Sequence, residues 1–227
     1  MVIRPTNLIL FVAACLYLLK TRNQKSWLFA LTAVPVFVLF IAWSYSVYRE
    51  PIAPYYLPYR PGTNSLALHR SIFEALAGNL ISPGRGLFVY VPVFLLAIPP
   101  MLRESADSVF SRLRPFLTGA LSAHWILIST FQDWWAGFSF GPRYFSDVTP
   151  LFILFLIPVV QQQPKSKRTL VLFCALALAS LAIQYRGADN PAVFDWNRTP
   201  VSVDQNPKRV WDWSDIAFLR IATDIWS

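Results

Sequence analysis

Six runs of apolar residues, separated by short polar stretches, dominate the sequence. The longest uninterrupted run, Trp27 to Tyr48, contains no charged side chain. A helix needs roughly 20 predominantly apolar residues to cross a bilayer, and snorkelling side chains at its ends extend a shorter one. The pattern therefore predicts an all-α, polytopic transmembrane bundle of about six helices, over residues 5–19, 27–48, 86–101, 116–131, 148–160 and 169–184.

A shorter amphipathic stretch, Ser65 to Leu76, lies between the second and third of these runs. Its apolar positions include Leu66, Ile72, Phe73 and Leu76, and polar residues such as His69 lie between them. A short helix of this kind lies in the membrane interface rather than across the bilayer. The predicted bundle therefore carries one interfacial helix.

Basic residues are concentrated in three alternate loops, and each loop holds three Lys or Arg residues: 20–25, 103–114 and 165–168. Cytoplasmic loops carry an excess of Lys and Arg, so all three loops are expected on the cytoplasmic side. Both termini, the loops 49–85 and 132–147, and a tail over residues 185–227 are then extracytoplasmic. The predicted location is the inner membrane of the cell.

Composition excludes an ordinary soluble domain, because 55% of the 227 residues are hydrophobic and only 14% are charged. A soluble domain carries roughly 25% charged residues to cover its surface. The net charge of +8 is therefore interpreted through the basic loops and not as nucleic-acid binding. Cys15 and Cys174 both lie within apolar runs and have no metal-ligand spacing, so the sequence indicates no cofactor and gives no support for a divalent metal.

The extracytoplasmic loops combine arginine with aromatic residues. Arg143, between Pro142 and Tyr144, precedes the fifth apolar run, and Arg85 precedes the third. A guanidinium group binds two phosphate oxygens at once, and aromatic faces such as that of Trp134 stack on sugar rings. The alternative is that the arginines bind lipid headgroups nonspecifically and that the tryptophans belong to an interfacial belt.

Carboxylates are scarce in these loops, and three are candidates for a catalytic acid or base: Glu50, Glu74 and Asp133. His124 lies inside the fourth apolar run. An ionisable residue within the membrane is a functional hypothesis by default, although a neutral histidine bonded to a neighbouring helix is the alternative.

Two segments together resemble the C-terminal half of bacterial GT-C-type membrane glycosyltransferases, the class that includes protein mannosyltransferases. These segments are Ser82-Pro-Gly-Arg-Gly-Leu-Phe-Val-Tyr-Val-Pro92 and Trp134-Trp-Ala-Gly-Phe-Ser-Phe-Gly-Pro-Arg-Tyr144. The resemblance implies transfer of a sugar from a polyprenyl-phosphate carrier to an acceptor on the outer face of the membrane. It implies that Arg143 and Arg85 hold the carrier phosphate, and that the sugar or lipid entrance is lined by Trp134, Trp135 and Tyr144.

In that family an acidic residue of the first external loop activates the acceptor hydroxyl. Neither Glu50 nor Glu74 stands in a matching motif, and the N-terminal module that would hold the acidic loop is not recognisable. Only about four residues precede the first apolar run, without a cleavable signal. The chain is therefore expected to correspond to the later part of a longer membrane protein.

Two other functions remain open at this stage. The chain is a non-catalytic fragment or accessory subunit that needs a second membrane chain, or it is part of a transporter or flippase. The second alternative uses His124 and a third segment broken by Pro92, Pro99 and Pro100 to line a path.

Overall fold

The computed structural model describes residues 5–21, 26–51, 71–103, 108–161 and 167–220, and all regular structure within them is helical. The α-helices are α1 (Leu8–Lys20), α2 (Ser26–Tyr48), α3 (Ile72–Ile81), α4 (Leu87–Tyr90), α5 (Ile98–Leu102), α6 (Ser108–Ser129), α7 (Thr149–Gln161), α8 (Lys167–Asp189) and α9 (Pro191–Asp195). Short 3-10 helices cover Pro5–Asn7, Pro92–Ala97, Arg143–Val148, Pro207–Trp211 and Ala217–Leu219. The predicted all-α class is confirmed for the described residues.

Three of these helical stretches are long and apolar enough to cross a membrane: Trp27–Tyr48, Arg143–Gln161 and Lys167–Asp189. Their apolar side chains are largely unburied within the protein; Leu39 of α2, for example, is 69% exposed. Exposing such surface to water costs roughly 25 cal/mol per Å² of apolar area. Lipid removes this cost, which agrees with membrane association.

Where the structure describes them, the remaining predicted segments do not form helices that are both long enough and apolar enough to cross a membrane. Helix α1 has 13 residues, which span about 20 Å at 1.5 Å per residue, against a hydrocarbon core of about 30 Å. The third segment is divided into α4, the 3-10 helix Pro92–Ala97 and α5. Proline lacks a backbone N–H and its ring clashes with the preceding turn, which explains the interruptions at Pro92, Pro99 and Pro100. The six-helix bundle therefore stays a prediction.

The fourth segment begins earlier than the sequence indicates. Helix α6 starts at Ser108 and includes Arg112, Arg114 and Pro115, so that this proline lies within the helix and not at its edge. Helix α1 packs against α6, and the rings of Tyr17 and Phe116 meet edge to face at 5.6 Å.

The chain forms two compact units. One comprises Met1–His69 and Asp107–Gln132, and the other comprises Arg70–Ala106 and Asp133–Ser227. In the second unit α7 and α8 pack against Pro92–Ala97. The predicted boundary at residue 185 stays a prediction. Arg186, just after it, donates hydrogen bonds to the carbonyls of Phe218 (3.0 Å) and Arg220 (2.7 Å). The tail is thereby joined to the end of α8.

Ser71 caps the N-terminus of helix α3, and its hydroxyl accepts a hydrogen bond from the backbone N–H of Glu74 at 3.4 Å. Residues 65–70 of the predicted interfacial helix lie outside the described residues. The inner face of α3 consists of small residues such as Ala75 and Gly78, and its outer face presents Phe73, 80% exposed, and Ile81. A helix with this orientation suits the membrane interface, and that placement stays a prediction.

Candidate functional site

The loop between α3 and α4, residues 82–86, is closed by local hydrogen bonds. The hydroxyl of Ser82 accepts from the backbone N–H of Arg85 at 3.1 Å, and its carbonyl accepts from Gly86 at 2.7 Å. A Cβ at position 86 would lie 2.6 Å from the Ser82 backbone, so only glycine fits this turn. The turn directs the Arg85 side chain into the second unit.

Arg85 is 1% exposed, and its guanidinium joins three segments of the chain. Nε donates to the carbonyl of Trp135 (2.6 Å) and Nη1 to that of Gly84 (2.8 Å). Nη2 donates to the carbonyl of Gly137 (2.9 Å) and to Oδ1 of Asn197 (2.6 Å). Burial lowers the pKa of Arg85 to about 10, so the side chain remains charged at neutral pH. Its N–H groups therefore donate to acceptors of the protein itself.

Trp134 and Trp135 lie in the core beside this arginine. The Trp134 ring packs against Gly78 of α3, where an added Cβ would lie 2.1 Å from Cη2. The indole N–H of Trp135 donates to Oδ1 of Asp204 at 2.8 Å. Both indoles are buried, so they hold the loop 132–142 against α3 and the tail. Their predicted role at a sugar entrance stays a prediction.

The tail is organised around Trp196, which is fully buried. The guanidinium carbons of Arg85 and Arg209 lie 5.1 and 4.8 Å from its ring centroid, in cation–π contact. Its N–H donates to the carbonyl of Asp215 at 2.8 Å. The indole therefore connects the loop 82–86 with the last part of the tail.

Asp215 forms ion pairs with two arginines. Arg209 donates to Oδ2 at 3.0 Å, and Arg220 binds both carboxylate oxygens at 2.8 and 2.7 Å. Arg220 also bonds the hydroxyl and the carbonyl of Thr199 at 3.0 and 2.9 Å. A polar cavity of about 470 Å³ opens beside these residues, but the carboxylate at its wall is already paired.

The loop that leads to Arg143 depends on left-handed backbone conformations. Ala136 (φ 63°), Gly137 (φ 56°) and Gly141 (φ 58°) all have positive φ. At Gly141 an added Cβ would also lie 2.7 Å from the Tyr90 ring, so glycine is required there for two reasons. The loop is thereby fixed on the buried ring of Tyr90.

Arg143 follows this loop as the first residue of a stretch long enough to cross a membrane, Arg143–Gln161. Its side chain is exposed, and its guanidinium makes no hydrogen bond or ion pair within the described part of the chain. Tyr144 beside it is half-buried. Of the two predicted phosphate-binding arginines, Arg143 is thus the one whose donors remain available, whereas those of Arg85 are engaged.

The three predicted acidic residues are placed in different surroundings. Asp133 is exposed at the start of the loop 132–142, and partial burial, with a smaller contribution from Asp204, raises the pKa of its carboxyl. Glu74 is exposed on α3, and Glu50 belongs to the other unit. Among the described residues no group of three His, Cys, Asp or Glu side chains has the arrangement of a metal site.

Several contributors to this region are not identifiable from the sequence. Asp204 lies 71 positions from Asp133 along the chain, and only the fold brings their charges together. Asn197 stands in an Asn-Arg-Thr sequon, but its side chain is buried, accepting from Arg85 and donating to the carbonyl of Phe194 at 2.9 Å. Turn residues around position 204 predict a loop and carry no signal for these partners.

No protein-family model, curated protein or solved structure matches the chain.

Proposed function

We propose that the chain is a membrane glycosyltransferase, or the C-terminal part of one, that transfers a sugar from a lipid-phosphate carrier to an acceptor on the outer face. The observation that supports this most directly is Arg143, an exposed guanidinium without a partner among the described residues, at the first residue of an apolar helical stretch. The phosphate of a membrane-anchored carrier lies at the depth where such a helix enters the bilayer. Arginine binds phosphate through two parallel hydrogen bonds.

The surrounding architecture supports this role for Arg143. The backbone that precedes it is fixed by Gly141 on Tyr90, and the carbonyls of Trp135 and Gly137 are held by Arg85. A site whose supporting residues are locked by packing and hydrogen bonds loses less free energy to ordering when its ligand binds. Arg85, Trp134 and Trp135 contribute to this proposal as supports of the loop.

Asp133 is the carboxylate that we assign as general base, because it is exposed at the start of the loop that leads to Arg143. Its raised pKa also makes it a better proton acceptor than an ordinary aspartate. It would take the proton of the acceptor hydroxyl as the acceptor oxygen bonds the anomeric carbon of the sugar. The bond from that carbon to the carrier phosphate breaks, and its electron pair remains on the phosphate oxygen. Arg143 would stabilise the resulting charge.

The test is binding of a polyprenyl-phosphate-linked sugar to the full chain in lipid nanodiscs. Charge-assisted hydrogen bonds contribute roughly 1.5–3 kcal/mol, so Arg143→Ala should weaken binding roughly 10- to 100-fold. Arg143→Lys should recover only part of it, because lysine is a point charge. Arg198→Ala is the matched control, since Arg198 is also exposed and its guanidinium also lacks a partner among the described residues. Equal affinities for the Arg143 and Arg198 variants would reject the proposal.

A non-catalytic subunit that presents the carrier to a second membrane chain is the other candidate function. It is favoured by the burial of Arg85, Trp134 and Trp135, which keeps these three predicted site residues from contacting a sugar directly. Sugar transfer measured beside binding separates the two functions. The transferase requires turnover that Asp133→Asn abolishes, whereas the subunit requires Arg143-dependent binding without turnover.

A further inference from the structure

A groove of about 270 Å³ runs between α1 and α6 within the first unit. Its walls are apolar: α1 contributes Ile9, Val12 and Leu16, and α6 contributes Phe116, Gly119 and Ala123. Among the residues that the structure describes, no charged side chain lines it. Its interior is therefore suited to a hydrocarbon chain.

One wall of the groove includes Gly119, a glycine within α6. A Cβ built at Gly119 meets no atom within 4 Å, and the position is exposed. Glycine inside a helix costs about 1 kcal/mol relative to alanine, and here no close packing compensates for it. The space is thus present at the expense of helix stability.

One end of the groove is basic. Lys20, the last residue of α1, places its Nζ 5.6 Å from the centroid of Phe116, which lines the groove. Arg112 is exposed on α6 one turn before Phe116, on the same helix face. Both residues belong to loops or loop edges that the positive-inside rule assigns to the cytoplasmic side.

We propose that this groove binds one anionic phospholipid, with an acyl chain between α1 and α6 and its phosphate beside Lys20 and Arg112. The apolar walls match the acyl chain, and the cations at one end match the charge of the headgroup. Carrier binding at Arg143 belongs to the other unit, so this proposal is independent of the proposed function.

The test compares thermal stabilisation of the detergent-purified full chain by phosphatidylglycerol and by zwitterionic phosphatidylcholine, with bound lipid counted by native mass spectrometry. Phosphatidylglycerol alone should raise the melting temperature of the wild type and remain bound. Lys20→Ala should weaken this binding roughly five-fold, whereas Lys208→Ala, which removes an exposed lysine of the tail, should leave it unchanged.

Gly119→Leu provides the decisive variant, because its side chain fills the groove and its helix propensity favours α6. It should raise the melting temperature without lipid and abolish the increase caused by phosphatidylglycerol. A lipid response equal to that of the wild type would overturn the proposal. Polyprenyl phosphate that binds as tightly as phosphatidylglycerol would also overturn it, because the groove would then be a carrier site. A dimer that is seen for the wild type and lost in Gly119→Leu would overturn it as well, because a second copy of the chain would then occupy the groove.

Discussion

Replacement of Arg85 by methionine tests the role of the buried guanidinium, since methionine is an apolar side chain without hydrogen-bond donors. Four acceptors lose their partner: the carbonyls of Gly84, Trp135 and Gly137, and Oδ1 of Asn197. Hydrogen bonds to a charged group contribute about 1.5–3 kcal/mol each, which gives a gross loss of about 6–12 kcal/mol.

The substitution also removes a buried charge, and this partly offsets the loss. Lowering the pKa of Arg85 from its ordinary value to about 10 corresponds to a net penalty of about 3 kcal/mol on the charged side chain, chiefly from burial, that methionine does not incur. The net destabilisation is therefore expected to be at least about 3 kcal/mol, in the range measured when one partner of a buried charged network is removed. For a unit of this size the melting temperature should fall by roughly 10 °C.

The measurement is unfolding followed by tryptophan fluorescence, together with hydrogen exchange of peptides from 82–86, 132–142 and 190–220. Protection should be lost in all three segments at once, because Arg85 joins them. Arg198→Ala, at an exposed arginine, should change the free energy of unfolding by no more than about 0.5 kcal/mol. If Arg85→Met is no more destabilising than this control, the guanidinium does not hold the loops together. Arg85→Lys should recover little, because one ammonium group cannot reach four divergent acceptors.

Three further predictions concern the second unit and its controls. Gly78→Ala should destabilise the protein by about 1–2 kcal/mol, because overpacking against the Trp134 indole outweighs the gain in helix propensity. Gly119→Ala, with open space around it, should stabilise the protein by up to about 1 kcal/mol. Chemical unfolding in mixed micelles compares the two, and changes of the same sign in the free energy of unfolding would contradict the packing explanation. The pKa of Asp133 is raised in the folded protein, so the folded state retains its proton more strongly and stability falls as pH rises from the ordinary aspartate pKa through the raised one. The melting temperature of the wild type should therefore fall between about pH 4 and about pH 7, and by more than that of Asp133→Asn. Equal changes in the two proteins would refute this. Asn197→Ala should lower the free energy of unfolding by about 1–3 kcal/mol, because its side chain accepts a hydrogen bond from Arg85. In a double-mutant cycle with Arg85→Met the two losses should sum to more than the loss in the double variant. Full additivity would show that the two side chains are not coupled.

The helical class is predictable here because long apolar stretches report it directly. Trp27–Tyr48 has the length and composition of a membrane-crossing helix, and α2 covers it. The third segment is different. Its apolar content predicts a single span, whereas Pro92, Pro99 and Pro100 determine three short pieces, because hydropathy does not register a missing backbone donor.

The candidate site is only partly predictable for a related reason. Arg143 is identifiable by its position at a helix entrance, which is a local property of the sequence. The burial of Arg85 depends on acceptors at Trp135 and Asn197, 50 and 112 residues away, and no spacing rule connects such positions. Arginine is rarely fully buried, so exposure is the reasonable expectation until the fold supplies those acceptors.

The 112 residues between Arg85 and Asn197 in the sequence also determine how long Arg85 waits for its partner during translation. At about 5–20 residues per second, the ribosome adds Asn197 some 6–22 s after Arg85. Throughout that interval the guanidinium lacks part of the structure that later buries it, and the same holds for the face of Trp134 from the moment it is added. A nascent chain arrested between residues 135 and 197 therefore exposes a charge and two tryptophans that the folded protein buries, which is the kind of surface that chaperones and quality-control proteases recognise.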